Sequence, residues 1–268
     1  MASNNKVIVI TGSTRGIGLG MAGEFLKRGH QVVISGRSAE SVAKAITGLQ
    51  PAFGDRVFGQ PCDVGDFAQV ETLWAASVAH FGRVDIWINN AGISHPSQDF
   101  WTLPTSTLDD VVRTNLMGVI HGSKVAITGM LKQGFGQLYN MEGLGSAGPI
   151  SPGLILYGTT KSGLTYFTKG LVKELQDKPV QVGFLSPGMV VTDLLTGGEE
   201  LAENSRTRRI FNILADRVET VVPFLVDGIL SNTKHGARIA WLTTPKIAWR
   251  FMTARFTKRD LFSPETAS

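Results

Sequence analysis

Short apolar runs alternate along the chain with longer stretches of helical periodicity. Lys6 to Thr11 is continuous and β-branched, the pattern of a strand buried on both faces. It runs straight into a glycine turn, Gly12 to Gly18, and then into a helical pattern through Arg28. Gln31 to Ser35 reads as a second strand and Arg56 to Gln60 as a short third. Phe67 to Phe81 has helical spacing, and Val84 to Ile88 is the fourth strand. Leu103 to Lys132 reads as one long helical stretch, followed by a fifth strand over Gly134 to Asn140. Tyr157 to Gln176 is a helix, Val180 to Leu185 the sixth strand, Ile210 to Leu230 again helical, and Ala237 to Leu242 a last strand. Strands alternating with helices predict an α/β fold: a single-domain, doubly wound parallel sheet with helices on both faces and right-handed crossovers. From Asp193 to Ser205 the periodicity breaks at Gly197-Gly198 and a charged run, which suggests a segment able to close over a substrate. The domain is read as 1–243, with a basic and aromatic tail at 244–268 that includes Ile247, Trp249, Phe251, Met252 and Phe256 among Arg250, Arg255, Lys258 and Arg259.

Composition narrows the function classes. With 268 residues, 31 glycines and 43% hydrophobic residues, the chain suits one α/β unit with many tight turns. Its single cysteine, Cys62, excludes an internal disulfide and a cysteine-built metal site and fits a reducing compartment. The five histidines show no ligand spacing, so no metal is expected. A net charge of +4 fits an anionic cofactor or surface, and no run of like charge resembles a nucleic-acid arm, so no nucleic-acid partner is expected. No apolar run approaches the roughly 18 residues that a membrane-spanning helix needs. Met1 to Asn5 is too short and polar for a signal peptide. The tail admits two readings: a basic helix lying on a membrane surface, or, more plainly, packing on the parent domain or a neighbouring subunit.

The first turn spells G-x-x-x-G-x-G with Gly12, Ser13, Thr14, Arg15, Gly16, Ile17 and Gly18. Between a strand and a helix, such a turn offers backbone N–H groups and the positive end of a helix dipole to a pyrophosphate. An NAD site usually carries an acidic residue at the end of the second strand. Arg37 stands there instead, with Arg15 in the first turn. Two guanidinium forks suit a ribose 2′-phosphate, so the expected cofactor is NADPH/NADP+. Asp63, followed by Val64, could accept from an adenine amino group or cap the next helix. Asn89-Asn90-Ala91-Gly92 could border the ligand crevice at a strand end or tie strand ends together. Asn115 falls in mid-helix, where its side chain competes with the backbone; a local reason for it would be to open the helix and hold a water. Tyr157 and Lys161, four residues apart, lie one turn from each other on one helical face. A phenol titrates near about 10, and an adjacent ammonium favours the phenolate, giving a proton donor usable near neutrality. Carbonyl reduction needs such a group, because the oxygen takes a proton as its carbon takes a hydride.

Taken jointly, Thr11-Gly12-x-x-x-Gly16-x-Gly18, Asn89-Asn90-Ala91-Gly92, Asn115, Tyr157-x-x-x-Lys161 and Pro187-Gly188 resemble the short-chain dehydrogenase/reductase family over about Lys6 to Leu242. The resemblance implies a Rossmann-type sheet and a role for each residue. Tyr157 would protonate the carbonyl oxygen; Lys161 would lower its pKa and bind the nicotinamide ribose; Asn115 would hold a water joining Lys161 to bulk solvent. Pro187 and Gly188, with Val190 beyond them, would line the nicotinamide, and Thr192 would touch its carboxamide or the pyrophosphate. Asp63 and Val64 would flank the adenine, and Asn90, with Ala91 and Gly92, the adenosine ribose. The family commonly places a serine 13 positions before the tyrosine, and Leu144 stands there in this chain. Ser146 is the expected substitute donor to the substrate oxygen, with Glu142 a second polar group nearby. Family members are usually dimers or tetramers, which implies a homo-oligomer. A finer resemblance, carried by residues 140–148, 157–164 and 186–195, is to the chlorophyll(ide) b reductase branch, which reduces the 7-formyl group of chlorophyll b to hydroxymethyl with NADPH. It implies a small-molecule or pigment aldehyde as substrate, and either a bacterial cytoplasm or the thylakoid of a plastid as setting. Two alternatives stay open: a reductase or dehydrogenase of another ketone, aldehyde or secondary alcohol, and an NADP-binding sensor without catalysis.

Overall fold

Seven parallel strands, with helices between them, carry the crevice. The computed structural model describes residues 5–146, 150–196, 206–257 and 259–262. β1 (Val7–Ile10) leads into α1 (Gly16–Lys27) and β2 (Gln31–Gly36). α2 (Ala39–Phe53), β3 (Val57–Pro61) and α3 (Phe67–Phe81) follow, then β4 (Ile86–Asn89), α4 (Thr105–Val112) and α5 (Gly118–Gln133). The second half holds β5 (Gly136–Met141), α6 (Ile155–Glu174), β6 (Val180–Ser186), β7 (Met189–Val190) and α7 (Asp193–Thr196). It continues through α8 (Arg206–Leu214), β8 (Ala215–Asp216), α9 (Val218–Ser231), β9 (Arg238–Ala240) and α10 (Thr244–Thr253).

The large sheet runs β3-β2-β1-β4-β5-β6-β9, and every neighbouring pair is parallel. The chain winds outward from β1 to β3 and then returns to the other side of β1 through β4. That reversal leaves a crevice beyond the C-terminal ends of β1 and β4, the ligand position of a Rossmann-type doubly wound sheet. Strand alternation explains how both faces become core. Ile8 and Ile10 pack against Met21 and Phe25 of α1 and Val221 and Leu225 of α9. Val9 points to the other face, with Trp87, Leu138, and Val125 and Met130 of α5. Each such buried side chain stabilises the fold by about 1.5–3 kcal/mol relative to exposure.

Three elements differ from the sequence pattern. α2 was not marked by it; Gly48 and Pro51 interrupt its periodicity, while Ser38 starts it by accepting from the Ser41 N–H. The stretch from Leu103 to Lys132 is two helices joined by a π-helical turn at Arg113–Met117. The stretch from Ile210 to Leu230 is also broken. Residues 215–216 leave the helix to pair with β7, and the buried Asp216 is clamped there by Trp241 Nε1 at 2.6 Å, Arg250 Nη2 at 2.7 Å and Arg259 Nη2 at 2.7 Å. Arg250 also donates to the Leu214 carbonyl and Arg259 to those of Ile213 and Ala215. The tail is therefore fastened to its own domain, as the plainer reading had it, and two of its cations face inward. Lys258 and residues 263–268 lie outside the described residues, as do 197–205, on which most of the expected closing segment falls. Among the described residues, no helix is long and apolar enough to cross a membrane.

Candidate active site

The glycine turn lies at the switch point of the sheet. Gly12 and Gly16 take left-handed φ values of +62° and +56°. A Cβ on Gly12 would fall 2.7 Å from Ala91 Cα, and one on Gly18 would fall 2.5 Å from the Gly12 carbonyl oxygen. Only glycine lets the two turns close this tightly. Ser13 is turned inward: its hydroxyl donates to the Ile10 carbonyl at 2.7 Å and accepts from the Ser35 N–H at 2.9 Å. Thr14 packs where a side chain on Gly36 would stand. α1 begins at Gly16 with no side-chain cap and no acidic residue in its first turn, so its leading N–H groups face the crevice unclaimed by a carboxylate. Arg15 and Arg37 are both exposed, and Arg15 Nη1 lies 3.2 Å from Asp193 at the head of α7. Thr192 stands across from Gly16, 3.4 Å from where a Cβ on it would be. Val190 is buried beneath, Pro187 is buried and Gly188 exposed, with φ +72°.

The amide residues divide their work. Asn89 ties strand ends: it accepts from Trp87 Nε1 at 2.8 Å and donates to Asn140 Oδ1 at 2.8 Å and Ser123 Oγ at 3.1 Å. Asn140 passes the tie to Thr168 of α6 at 2.9 Å. Asn90 instead reaches the glycine turn, donating to the Thr11 and Gly12 carbonyls at 2.9 Å each. Asp63 is engaged by the Gly65 N–H at 2.9 Å and by Arg113 at 3.3 Å. The cap of α3 is Asp66, which accepts from the Ala68 and Gln69 N–H groups. Val64 is buried against Gly118 at the start of α5.

Tyr157, Lys161 and Asn115 converge. The π-helical turn presents Asn115, fully buried, whose Oδ1 accepts from the Ile93 N–H at 2.8 Å while Nδ2 donates to the Ile93 carbonyl at 2.8 Å. Its Nδ2 also faces Thr160 Oγ1 at 3.4 Å. A Cβ on Gly92 would lie 3.4 Å from Asn115 Oδ1 and 3.9 Å from Lys161 Nζ, so Gly92 opens the space between them. Lys161 Nζ donates to the Met141 carbonyl at 3.2 Å and sits 5.7 Å from the Tyr157 ring centroid. Burial pushes the Tyr157 hydroxyl up to about 12. Burial also pushes the Lys161 amine down to about 8, with the Glu142 carboxylate opposing. No lowering of the phenol by its lysine is seen in the protein alone: Nζ is directed at a carbonyl, and loss of solvent around the phenolate dominates.

The loop after β5 holds what sequence reasoning missed. Gly143, not Leu144, lies against the phenol: a Cβ on it would be 2.5 Å from the Tyr157 hydroxyl oxygen and 3.1 Å from Lys161 Cε. Only its place two residues past the end of β5 distinguishes it among 31 glycines. Leu144 is exposed. Ser146 turns toward the protein, accepting from the Gly143 N–H at 3.1 Å and facing the Lys161 carbonyl at 3.4 Å. The segments that follow β4, β5 and β6 expose Phe100, Trp101, Leu144, Ile150 and Leu194.

The sequence matches the family described as short chain dehydrogenase over residues 6–201. It is 42% identical over 237 residues to the chloroplastic chlorophyll(ide) b reductase NOL of Arabidopsis thaliana, covering 86% of this chain and 67% of that one. It is 35% identical over 275 residues to the probable chlorophyll(ide) b reductase NYC1 of Oryza sativa subsp. japonica, covering 96% of this chain and 54% of that one. The chain thus spans about half the length of NYC1. Among solved structures, ElxO with NADP bound superposes with a TM-score of 0.76 at 29% identity, over 88% of this chain and 96% of its own. Sequence, sheet order and the tyrosine–lysine pair all agree: the chain belongs to the short-chain dehydrogenase family.

Proposed function

We propose that the chain is an NADPH-dependent aldehyde reductase acting on the 7-formyl group of chlorophyll(ide) b and forming the hydroxymethyl product. The convergence of Tyr157, Lys161 and Asn115 beside Gly92, at the mouth of the crevice, carries this reading. The residues present fit the dinucleotide. Gly12 and Gly18 let the turn close on Ala91 and Asn90, Gly16 faces Thr192, the head of α1 offers free N–H groups, and Arg15 and Arg37 supply two exposed guanidiniums for a 2′-phosphate. Asp63 and Val64 would hold the adenine end, Asn90 with Ala91 the adenosine ribose, and Pro187, Gly188, Val190 and Thr192 the nicotinamide end. When bound, NADPH supplies the hydride. Burial favours the protonated form of Tyr157, which lets it meet the substrate as an acid. It gives that proton to the carbonyl oxygen as the carbon is reduced. Lys161 then returns a proton to the phenolate, and Asn115 fixes the Ile93 backbone that borders this route. Aldehyde, NADPH and one proton become alcohol and NADP+. Gly143 leaves open the space beside the phenol that a side chain would occupy, and Ser146 would serve the substrate oxygen only by turning its hydroxyl away from the Lys161 carbonyl.

The pigment reading is supported by the relatives and by the exposed apolar side chains on the segments after β4, β5 and β6, which suit a flat macrocycle better than a small polar ketone. Trp249, Met252 and Phe256 of the tail stay exposed and would extend that contact to a pigment-bearing membrane. The test adds chlorophyllide b and NADPH to the protein and follows the pigment spectrum. Tyr157→Phe should slow conversion by about 10²-fold or more while NADPH binding is kept. A wild-type protein that binds NADPH but leaves an aldehyde panel untouched would favour the sensor.

A further inference from the structure

Glu142 is the first residue beyond β5, and its side chain is buried, although no step above uses it. The chain on either side of it grips the catalytic pair. The Met141 carbonyl accepts from Lys161 Nζ at 3.2 Å, and Gly143 lies against the Tyr157 hydroxyl and Lys161 Cε. The Glu142 N–H donates to the Leu185 carbonyl at 2.7 Å, beside Ser186. Its side chain reaches toward β9, where Arg238 Nη2 lies 2.9 Å from Oε1. That contact is an ion pair whose N–H does not line up as a hydrogen bond, so Oε1 is buried without a hydrogen-bonding partner among the described residues.

We infer that Glu142 is a positioning residue for the catalytic pair: its carboxylate, fastened to Arg238, holds residues 141–143 against Tyr157 and Lys161 and keeps a negative charge beside the lysine amine. This rests on the carbonyl-reductase reading above. Among the described residues, the charges around it are few. Lys161 is faced by Glu142 and by Tyr157 of its own helix; Glu142 is faced by Arg238 of β9, Ser186 of β6, and Lys161 and Lys169 of α6. Burial pushes the Glu142 carboxyl up, while Arg238, Ser186 and the two lysines oppose this. Lys161 carries its charge below about 8 and loses it above, and Glu142 supports that charge. Removing the negative charge therefore lets the amine deprotonate at lower pH, and proton return to Tyr157 fails earlier as pH rises.

The experiment measures kcat against pH with NADPH and chlorophyllide b for the wild type, Glu142→Gln, Glu142→Asp and Arg238→Gln. Glu142→Gln should move the alkaline fall in kcat downward by about one pH unit or more, and Glu142→Asp should restore most of it. Arg238→Gln removes the anchor and keeps the carboxylate; it should lower kcat by loosening residues 141–143 while leaving the alkaline limb near its wild-type place, and it tests the positioning if the Glu142→Gln protein fails to fold. An alkaline limb that stays in place in Glu142→Gln, or an Arg238→Gln protein that keeps the wild-type kcat, overturns the assignment. Wild-type silence toward every aldehyde would instead sink the reductase reading and take this assignment with it.

Discussion

Replacing Gly143 by alanine tests the geometry of the catalytic pair with a single methyl group. The new Cβ would sit 2.5 Å from the Tyr157 hydroxyl oxygen, 3.1 Å from Lys161 Cε and 3.3 Å from Lys161 Cδ. Comfortable contact begins near about 3.5 Å, so the phenol must retreat by roughly 1 Å. The backbone does not object, because Gly143 is not among the glycines with positive φ. A displacement of that size costs on the order of 10²-fold in rate, or about 2.7 kcal/mol of transition-state stabilisation. The extra methyl should lower stability by about 1–3 kcal/mol, leaving a folded protein that still binds NADPH. Steady-state NADPH oxidation reads the rate, fluorescence titration reads the binding, and thermal melting reads the fold. Gly170→Ala, on the same helix as Tyr157 and with nothing within 4 Å of its Cβ, is the control; it should keep the rate and gain about 0.5–1 kcal/mol of stability. A Gly143→Ala protein that turns over at the wild-type rate refutes the claim that Tyr157 works from the position seen here.

Two further outcomes can be checked without the pigment. Arg37→Asp should weaken NADPH by about 10- to 100-fold, the worth of a charge-assisted hydrogen bond, and leave NADH nearly unchanged; equal loss for both in a fluorescence titration rules out the 2′-phosphate role. Asp216→Ala should destabilise the protein by about 3–5 kcal/mol, because it strands Arg250 and Arg259 over the Leu214 and Ala215 carbonyls. That loss appears as a lower urea midpoint, and an unchanged midpoint would show the clamp to be ornamental.

Where local pattern and tertiary demand coincide, the chain could be read directly. The strand from Lys6 to Thr11 is continuous and β-branched because both faces of β1 are covered, and α3 begins and ends where its periodicity does. The pattern failed where long-range contacts decide. Nothing local forecasts that residues 215–216 leave a helix, since the reason is Trp241, Arg250 and Arg259 arriving from later in the chain. The site was legible as residue types and less so as contacts. Asn115 did open its helix, as a mid-helix asparagine suggested. Counting positions back from Tyr157 led to Leu144, however, while the loop brings Gly143 to the hydroxyl. The upward push on the phenol was not legible either, because burial is a property of the fold and not of spacing.

The wide turn at Arg113–Met117 has a consequence for how this chain can change length. Each residue rotates an α-helix by about 100°, so the turn sets the rotational phase of α5 independently of α4. In that phase Gly122 comes so close to Asn89 that a Cβ there would lie 2.1 Å from its Oδ1, and Val119, Ala126 and Met130 are buried. Deleting one residue between 113 and 117 would give a tidier helix yet swing that whole stripe off the sheet. Substitutions along the outer side of α4 should be tolerated freely, whereas insertions and deletions at this joint should be purged.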